Sequence, residues 1–313
     1  MSRELYLRIA ERNGLTVHAA AATYACFDFP SFLQAFLSAV KALQRPQDFA
    51  DIAREYLAKS AAEGVRHVEL MLSPATQRMF APALDLRDAL AAVWSEIERA
   101  RACTGISAVI VLDMVRNLGV EAALRDVELA RRSKGQGVVG VGLGGDERNY
   151  PARDFQAAYA AAEAAGLRRT AHAGEAAGPE SIVDAVALLR AERIGHGIAA
   201  AKQPEVVQLL LDNNVAIDAC PTSNAVTGVT PRGAAHPMKA LLDAGVTVTL
   251  NSDDPAFFGA SLLDEYETCA RALQLEKPQL AQLAVNSFNA SFAAQAEKKK
   301  WLAELERFVA ERE

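Results

Sequence analysis

The chain has no apolar run of the roughly 18 to 20 residues that a helical membrane span requires, so no such span is expected. It has no basic excess. Its 33 Lys and Arg against 39 Asp and Glu leave a net charge of −6, which argues against a nucleic-acid surface as its main partner. The N-terminus lacks a signal-peptide core, because Arg3, Glu4 and Arg12 are spread through a helical pattern. Cysteine is scarce and scattered (Cys26, Cys103, Cys220 and Cys269), which fits neither a metal finger nor a disulfide framework and points to reduced thiols in a cytoplasmic protein. No GxGxxG turn follows an early strand, so a dinucleotide fold is not expected. Solenoid repeats, low-complexity linkers and composition breaks are also missing. A single domain over 1–313 therefore fits better than two.

What is present is a regular alternation. Apolar runs that read as strands lie at 65–72, 106–112, 138–143, 168–172, 193–194, 215–220 and 246–250, with helical patterns between them. The spacing is that of β-α units, and a charged helical segment follows from about 262. Chemically capable residues come after the strands and not before them, as in a TIM (β/α)8 barrel. A closed barrel of that kind needs eight strands, and seven are visible.

The densest point is Asn251-Ser252-Asp253-Asp254-Pro255, two adjacent carboxylates at a strand end. Such a pair calls for a cation, a proton or a row of donors, unless it is an ordinary turn. His172 follows another strand, between Ala171 and Ala173-Gly174, with open backbone around it. A His and an Asp from separate strand ends suit zinc. Glu175 could hydrogen-bond a bound ligand or merely cap a helix. His196, between Gly195 and Gly197, could as a neutral imidazole take a proton from an attacking water. Gly145 offers a backbone N–H before Asp146-Glu147. Cys220 ends an apolar strand and reads as buried, not reactive. His18 reads as a packing residue, His67 as facing the far end of the barrel, and His236 as part of a helix opening at Pro237.

Taken together, these stretches resemble the adenosine deaminase family of zinc aminohydrolases. The resemblance is carried by 171–175 (AHAGE), 193–197 (RIGHG), 220–224 (CPTSN) and 251–255 (NSDDP), supported by 144–147 (GGDE), 68–74 (VELMLSP) and 10–14 (AERNG). They stand in family order over nearly the whole chain. The resemblance implies an amidohydrolase-type TIM barrel, one Zn2+ per chain, and hydrolysis of a small-molecule 6-aminopurine to the 6-oxopurine plus ammonia. It implies that His172 and Asp253 are zinc ligands and that Glu175 is the acid that protonates purine N1. It makes His196 the residue assisting the attacking water, and Gly145 and Asp254 purine contacts. Residues 252–259 resemble the adenine and aminodeoxyfutalosine deaminase branches, whereas 220–224 with Thr227-Gly228 and His236-Pro237 look more like the adenosine and aminodeoxyfutalosine deaminases. A nucleoside-type substrate is therefore expected first and free adenine second. The Pro-Cys-x-x-Cys ligand pair of base-editing zinc deaminases is absent, since no second Cys follows Cys220-Pro221.

One departure stands out. The family opens with a strand ending in His-x-His, which supplies two further zinc ligands, and this chain contains no His-x-His. The expectation is an incomplete barrel lacking its first strand, with a misplaced start or truncation at Met1. The strands at 65–72 and 246–251 should then each lack a neighbour, and zinc should be held weakly. The competing expectation is a non-catalytic truncated barrel that binds a purine or a partner.

Overall fold

Seven apolar runs become seven parallel strands that pair in chain order: β1 (His67–Leu72), β2 (Ser107–Val115), β3 (Val138–Gly144), β4 (Arg168–Ala173), β5 (Arg193–His196), β6 (Ala216–Ala219) and β7 (Val248–Leu250). The computed structural model describes residues 1–15, 24, 26–231 and 233–311. His18, read above as a packing residue, lies outside the described residues. Parallel neighbours need a crossover, and every gap between strands holds at least one helix, from Leu86–Thr104 after β1 to Met238–Asp243 before β7.

The sheet is curled, because Arg193 on β5 reaches across the interior to Glu69 on β1 and also lies 3.1 Å from Asp218 on β6. Arg193 Nη1 donates to the Ala290 carbonyl at 3.1 Å, and its guanidinium stacks 3.9 Å over the Phe292 ring. This buried charge cluster plugs the N-terminal end of the strands, where Thr249 Oγ1 donates to Asp218 at 2.9 Å. His67 faces the same end, with Nδ1 3.0 Å from Ser107 Oγ and its ring stacked on Trp301. Outward-facing Val68, Ile110, Leu112, Val141, Ile194 and Ile217 form the core with the inner faces of the helices.

Among the described residues β1 pairs only with β2, and β7 only with β6. Both edges meet helical segments. Asn286 Nδ2, from the helix Lys277–Ala290, donates to the β7 carbonyl of Val248 at 2.9 Å, and the backbone N–H of Phe292 donates to Glu69. The first contact satisfies a backbone carbonyl on the β7 edge, whereas the second ties down the Glu69 side chain and leaves the β1 backbone edge as it is. Met71 on β1 remains 48% exposed, a large apolar side chain turned towards Gly142 across the strands.

The strand pattern agrees with the reading from sequence, whereas several helices do not. The helix Pro46–Ala62 lies in a segment given no element above, although Phe49, Ala53 and Leu57 recur at helical spacing and are buried. Pro74, Pro221 and Pro255 stand in motifs that follow strands. Each is also the first residue of a short helix: Pro74–Phe80, Pro221–Val226 and Pro255–Phe258. Proline lacks an N–H and has a helical φ, so it ends a ladder and opens a helix equally well. The last three helices are Leu262–Ala272, Lys277–Ala290 and Gln295–Ala310. No helix among the described residues is long and apolar enough to cross a membrane.

Candidate active site

The strand register sets the site. His172 on β4 lies opposite Gly195 on β5, and Ala173 lies opposite His196. A Cβ on Gly195 would sit 3.4 Å from His172 Cα and Cγ, so the imidazole lies directly over bare backbone. The two rings stand 5.1 Å apart, centroid to centroid. Glu175 and Asp253 close the group: His196 Nε2 is 3.7 Å from Glu175 Oε2 and 4.0 Å from Asp253 Oδ2. Four of the residues expected from sequence are thus brought together from the ends of β4, β5 and β7.

His196 and Asp253 adopt left-handed backbone conformations, with φ of +61° and +55°. A non-glycine residue in that region carries about 1 to 3 kcal/mol of strain, and such strain gathers at functional sites. Here it occurs at the last residue of β5 and three residues beyond the end of β7.

His172 is oriented by its second nitrogen. Nδ1 lies 3.1 Å from the Leu143 carbonyl oxygen, which can only accept, so Nδ1 carries the proton and Nε2 is left with a lone pair. Its backbone carbonyl accepts from Arg116 at 2.7 Å, and the fully buried Arg116 also donates to the Tyr150 carbonyl at 2.7 Å. Burial lowers the affinity of the His172 ring for a proton, but Asp113, Glu175 and Asp253 outweigh that and raise its pKa. A site that attracts a proton this way also attracts a metal cation. An imidazole lone pair and a carboxylate are donors that zinc accepts, so His172 and Asp253 fit such an ion. The donor atoms of His196, Cys220 and Asp253 also lie within 4.8 Å of one another. Cys220 is buried, as read from sequence, and burial together with Asp253 and Asp218 pushes its thiol well above its usual pKa.

Gly145 follows β3 with φ +96°, and a Cβ there would meet Asn117 Oδ1 at 2.6 Å, so only glycine fits. Asp254 follows Asp253 directly and stands at the N-cap position of Pro255–Phe258, without a side-chain capping hydrogen bond. Burial and the neighbouring Asp253 raise its pKa.

Glu175 lies in the bend after β4, one turn before the helix Pro179–Ala187, and not at its cap. That bend is built around Glu147, a residue read above only as part of a motif. The Glu147 carboxylate accepts the N–H groups of Gly174, Glu175, Ala176 and Ala177, the last three at 3.1, 2.8 and 3.0 Å. A carboxylate with that many donors stays ionised: burial raises its pKa, and the hydrogen bonds from Ser181 and the loop lower it further than burial raises it.

Sequence reasoning gave no site role to Asn224, noted only within a motif, or to His236, read as a helix opening, and did not single out Asp113 or Glu265. Asn224 joins His196 to His236 through contacts of 3.0 Å each. Asp113, at the end of β2, is pushed up to about pKa 6 by burial and lies against Gly142 and Gly144, where any Cβ would strike its oxygens at 2.7 Å. Glu265 is fully buried and accepts from the Thr222 N–H at 3.4 Å. The signals that could have found them were the SN and HP pairs in 223–237 and the two glycines facing an acidic residue on the next strand.

The chain is similar to known proteins along nearly its whole length. The family model for adenosine deaminase matches residues 7–308. The adenine deaminase of Streptomyces coelicolor is 36% identical over 312 residues, covering 97% of this chain and 91% of that protein. The aminodeoxyfutalosine deaminase of Streptomyces avermitilis is 38% identical over 312 residues, covering 98% and 86%. Among solved structures, an adenine deaminase from Arthrobacter aurescens superposes with a TM-score of 0.92 at 33% identity, covering 99% of this chain and 95% of that one. An amidohydrolase from Burkholderia ambifaria, crystallised with bound Zn, superposes with a TM-score of 0.91 at 25% identity, covering 98% and 86%. With β/α architecture, strand-end chemistry and a match running almost end to end, the chain belongs to the adenosine deaminase family.

Proposed function

We propose that this chain is a zinc-dependent deaminase of a 6-aminopurine nucleoside, with His172 and Asp253 as metal ligands, Glu175 as general acid and His196 as the residue that assists the attacking water. Hydrolytic deamination of an aminopurine is the reaction class of its relatives. The observation that carries the assignment of roles is the convergence of Glu175 and Asp253 on His196 Nε2, at 3.7 and 4.0 Å, beside the free Nε2 of His172.

Carbon 6 of a purine is a poor electrophile until N1 gains a proton. In this reading Glu175 gives that proton, from a loop whose backbone N–H groups Glu147 accepts. Zinc, when bound, lowers the pKa of water so that hydroxide is available near neutral pH. His196 and Asp253 orient the attacking oxygen, and the N–H of Gly145 together with Asp254 contacts the purine away from C6. The ammonia leaves as the C6–N bond breaks, and the 6-oxopurine is the product.

The Zn reported in the Burkholderia ambifaria amidohydrolase and the donor set of His172 and Asp253 support the choice of metal. The four cysteines are all free, which accords with a cytoplasmic protein. A second reading, free adenine as substrate, is favoured by the names of the Streptomyces coelicolor and Arthrobacter aurescens relatives. Side-by-side kcat/KM values for adenine, adenosine and a 5′-substituted 6-amino nucleoside decide between them. A preference for free adenine would overturn the nucleoside assignment.

A further inference from the structure

The contacts behind His196 have a direction. His236 Nδ1 lies 3.2 Å from the backbone N–H of Met238, which can only donate. The ring therefore accepts at Nδ1 and, being neutral, carries its proton on Nε2. Nε2 is 3.0 Å from Asn224 Oδ1 and donates to it. That fixes the amide: its oxygen faces His236, so its NH2 faces His196, where Asn224 Nδ2 lies 3.0 Å from His196 Nδ1. An amide NH2 has no acceptor, so His196 Nδ1 must accept. The neutral ring then has its proton on Nε2, the atom turned towards Glu175 and Asp253.

Turning the amide over would set its NH2 against the Nε2–H of His236, two donors facing each other. Relieving that clash would move the His236 proton to Nδ1, against the Met238 N–H. Both contacts of Asn224 are direct, at 3.0 Å, and the three side chains are buried, Asn224 fully, His236 at 7% exposed and His196 at 3%. Asn224 is also held by its backbone, with its N–H on the Cys220 carbonyl at 3.0 Å and its carbonyl accepting from Thr230 at 2.9 Å.

We infer that His236 and Asn224 are positioning residues that fix His196 in the tautomer protonated on Nε2, so that neutral His196 donates a hydrogen bond to the reacting oxygen and cannot take a proton from it at that atom. The tautomer follows from geometry alone, and only its use in the reaction rests on the proposed function. This replaces the sequence-based expectation of a proton-accepting imidazole. With Nε2–H as donor, His196 stabilises charge on the incoming oxygen and on the tetrahedral centre. The proton of the attacking water then goes to a carboxylate, and with Glu175 assigned to N1 that carboxylate is Asp253, 4.0 Å from His196 Nε2.

The test is a two-bond 1H–15N correlation of the histidine rings in the full chain loaded with zinc, at neutral pH. The five histidines are few enough to assign by single substitutions. The expected result is an unprotonated Nδ1 and a protonated Nε2 in both His196 and His236. Asn224→Asp replaces the donor with a group that only accepts, so Nδ1 of His196 should become protonated with almost no change in shape. His236→Gln, which keeps an N–H near the position of Nε2, should leave Nδ1 of His196 unprotonated. In serine proteases a catalytic histidine in the wrong tautomer costs about 10⁴-fold in kcat, and Asn224→Asp should lower kcat by at least about 10²-fold with little change in KM.

A wild-type His196 protonated on Nδ1 alone would overturn the inference, as would an Asn224→Asp variant that leaves the ring unaltered. An inverted ring with wild-type turnover would overturn the donor role. If the tautomer is as stated but no 6-aminopurine is deaminated, the inference holds and the proposed function fails. Should Asn224→Asp not fold, the wild-type and His236→Gln spectra still decide the matter.

Discussion

The carboxylate of Glu147, at the end of β3, accepts the backbone N–H of Glu175 at 3.1 Å. One strand end thereby shapes the loop that carries the acid of the next. Glu147→Ala would leave four loop N–H groups without that acceptor, Gly174 and Ala176 among them. Each buried unsatisfied donor costs about 1 to 3 kcal/mol. The expected outcome is a loss of roughly 3 kcal/mol or more in urea unfolding and a fall in kcat larger than any fall in zinc content. Equal loss of zinc and turnover would show that Glu147 supports the fold in general and not the Glu175 loop in particular.

Glu175→Gln should keep zinc and lose most turnover, because an amide cannot donate the N1 proton. General acid catalysis is worth about 10²- to 10⁴-fold, and the fall in kcat should lie in that range. Asp253→Ala should instead lower zinc content, measured by metal analysis after gel filtration. Near-normal turnover in Glu175→Gln would remove the residue from its role.

His236 gives a pH signature in stability. Burial, with a smaller contribution from His196, lowers its pKa to about 4, against about 6.5 in an unfolded chain. The folded value is the lower one, so the unfolded chain takes up the proton first. Stability is therefore lost as pH falls from about 6.5 towards 4. Between pH 7 and pH 5 the loss from this one group is about 2 kcal/mol. Urea midpoints at the two pH values should converge by that amount in His236→Gln. An unchanged pH dependence in the variant would contradict the buried neutral ring.

Glu69 and Arg193 pair at the opposite end of the strands, with side chains 14% and 10% exposed. Removing one member of a buried pair strands the other charge and costs about 3 to 5 kcal/mol. Glu69→Ala should fall near the lower figure, since Asp218 remains 3.1 Å from Arg193. Zinc content and kcat per folded molecule should not change, because the cluster lies away from the strand ends that carry His172 and His196.

The strands were legible because each is a short apolar run closed by glycine, proline or an acidic residue, and period-2 or continuous burial leaves a trace in composition. The helix Pro46–Ala62 was less so. Its buried face is Phe49, Ala53 and Leu57, and alanine dilutes the apolar stripe that marks a helix. The same limit applied at the site. His172 and His196 lie in the last residues of their strands and Glu175 and Asp253 shortly after theirs, where position alone implies chemistry. Asn224 and His236 act on His196 from a helix and a loop that the register of the strands does not place. Glu147 stood out only as part of a motif because its four partners lie 27 to 30 positions away.

The most direct measurement of the central claim is ammonia release by zinc-loaded protein presented with a panel of 6-aminopurines, free base and nucleosides together, with zinc content measured on the same sample. The account predicts that ammonia appears in step with the 6-oxopurine, that removal of zinc abolishes it, and that restoring zinc brings it back. A folded, zinc-loaded protein that releases no ammonia from any 6-aminopurine, while binding one or hydrolysing some other amide-like substrate, would contradict it.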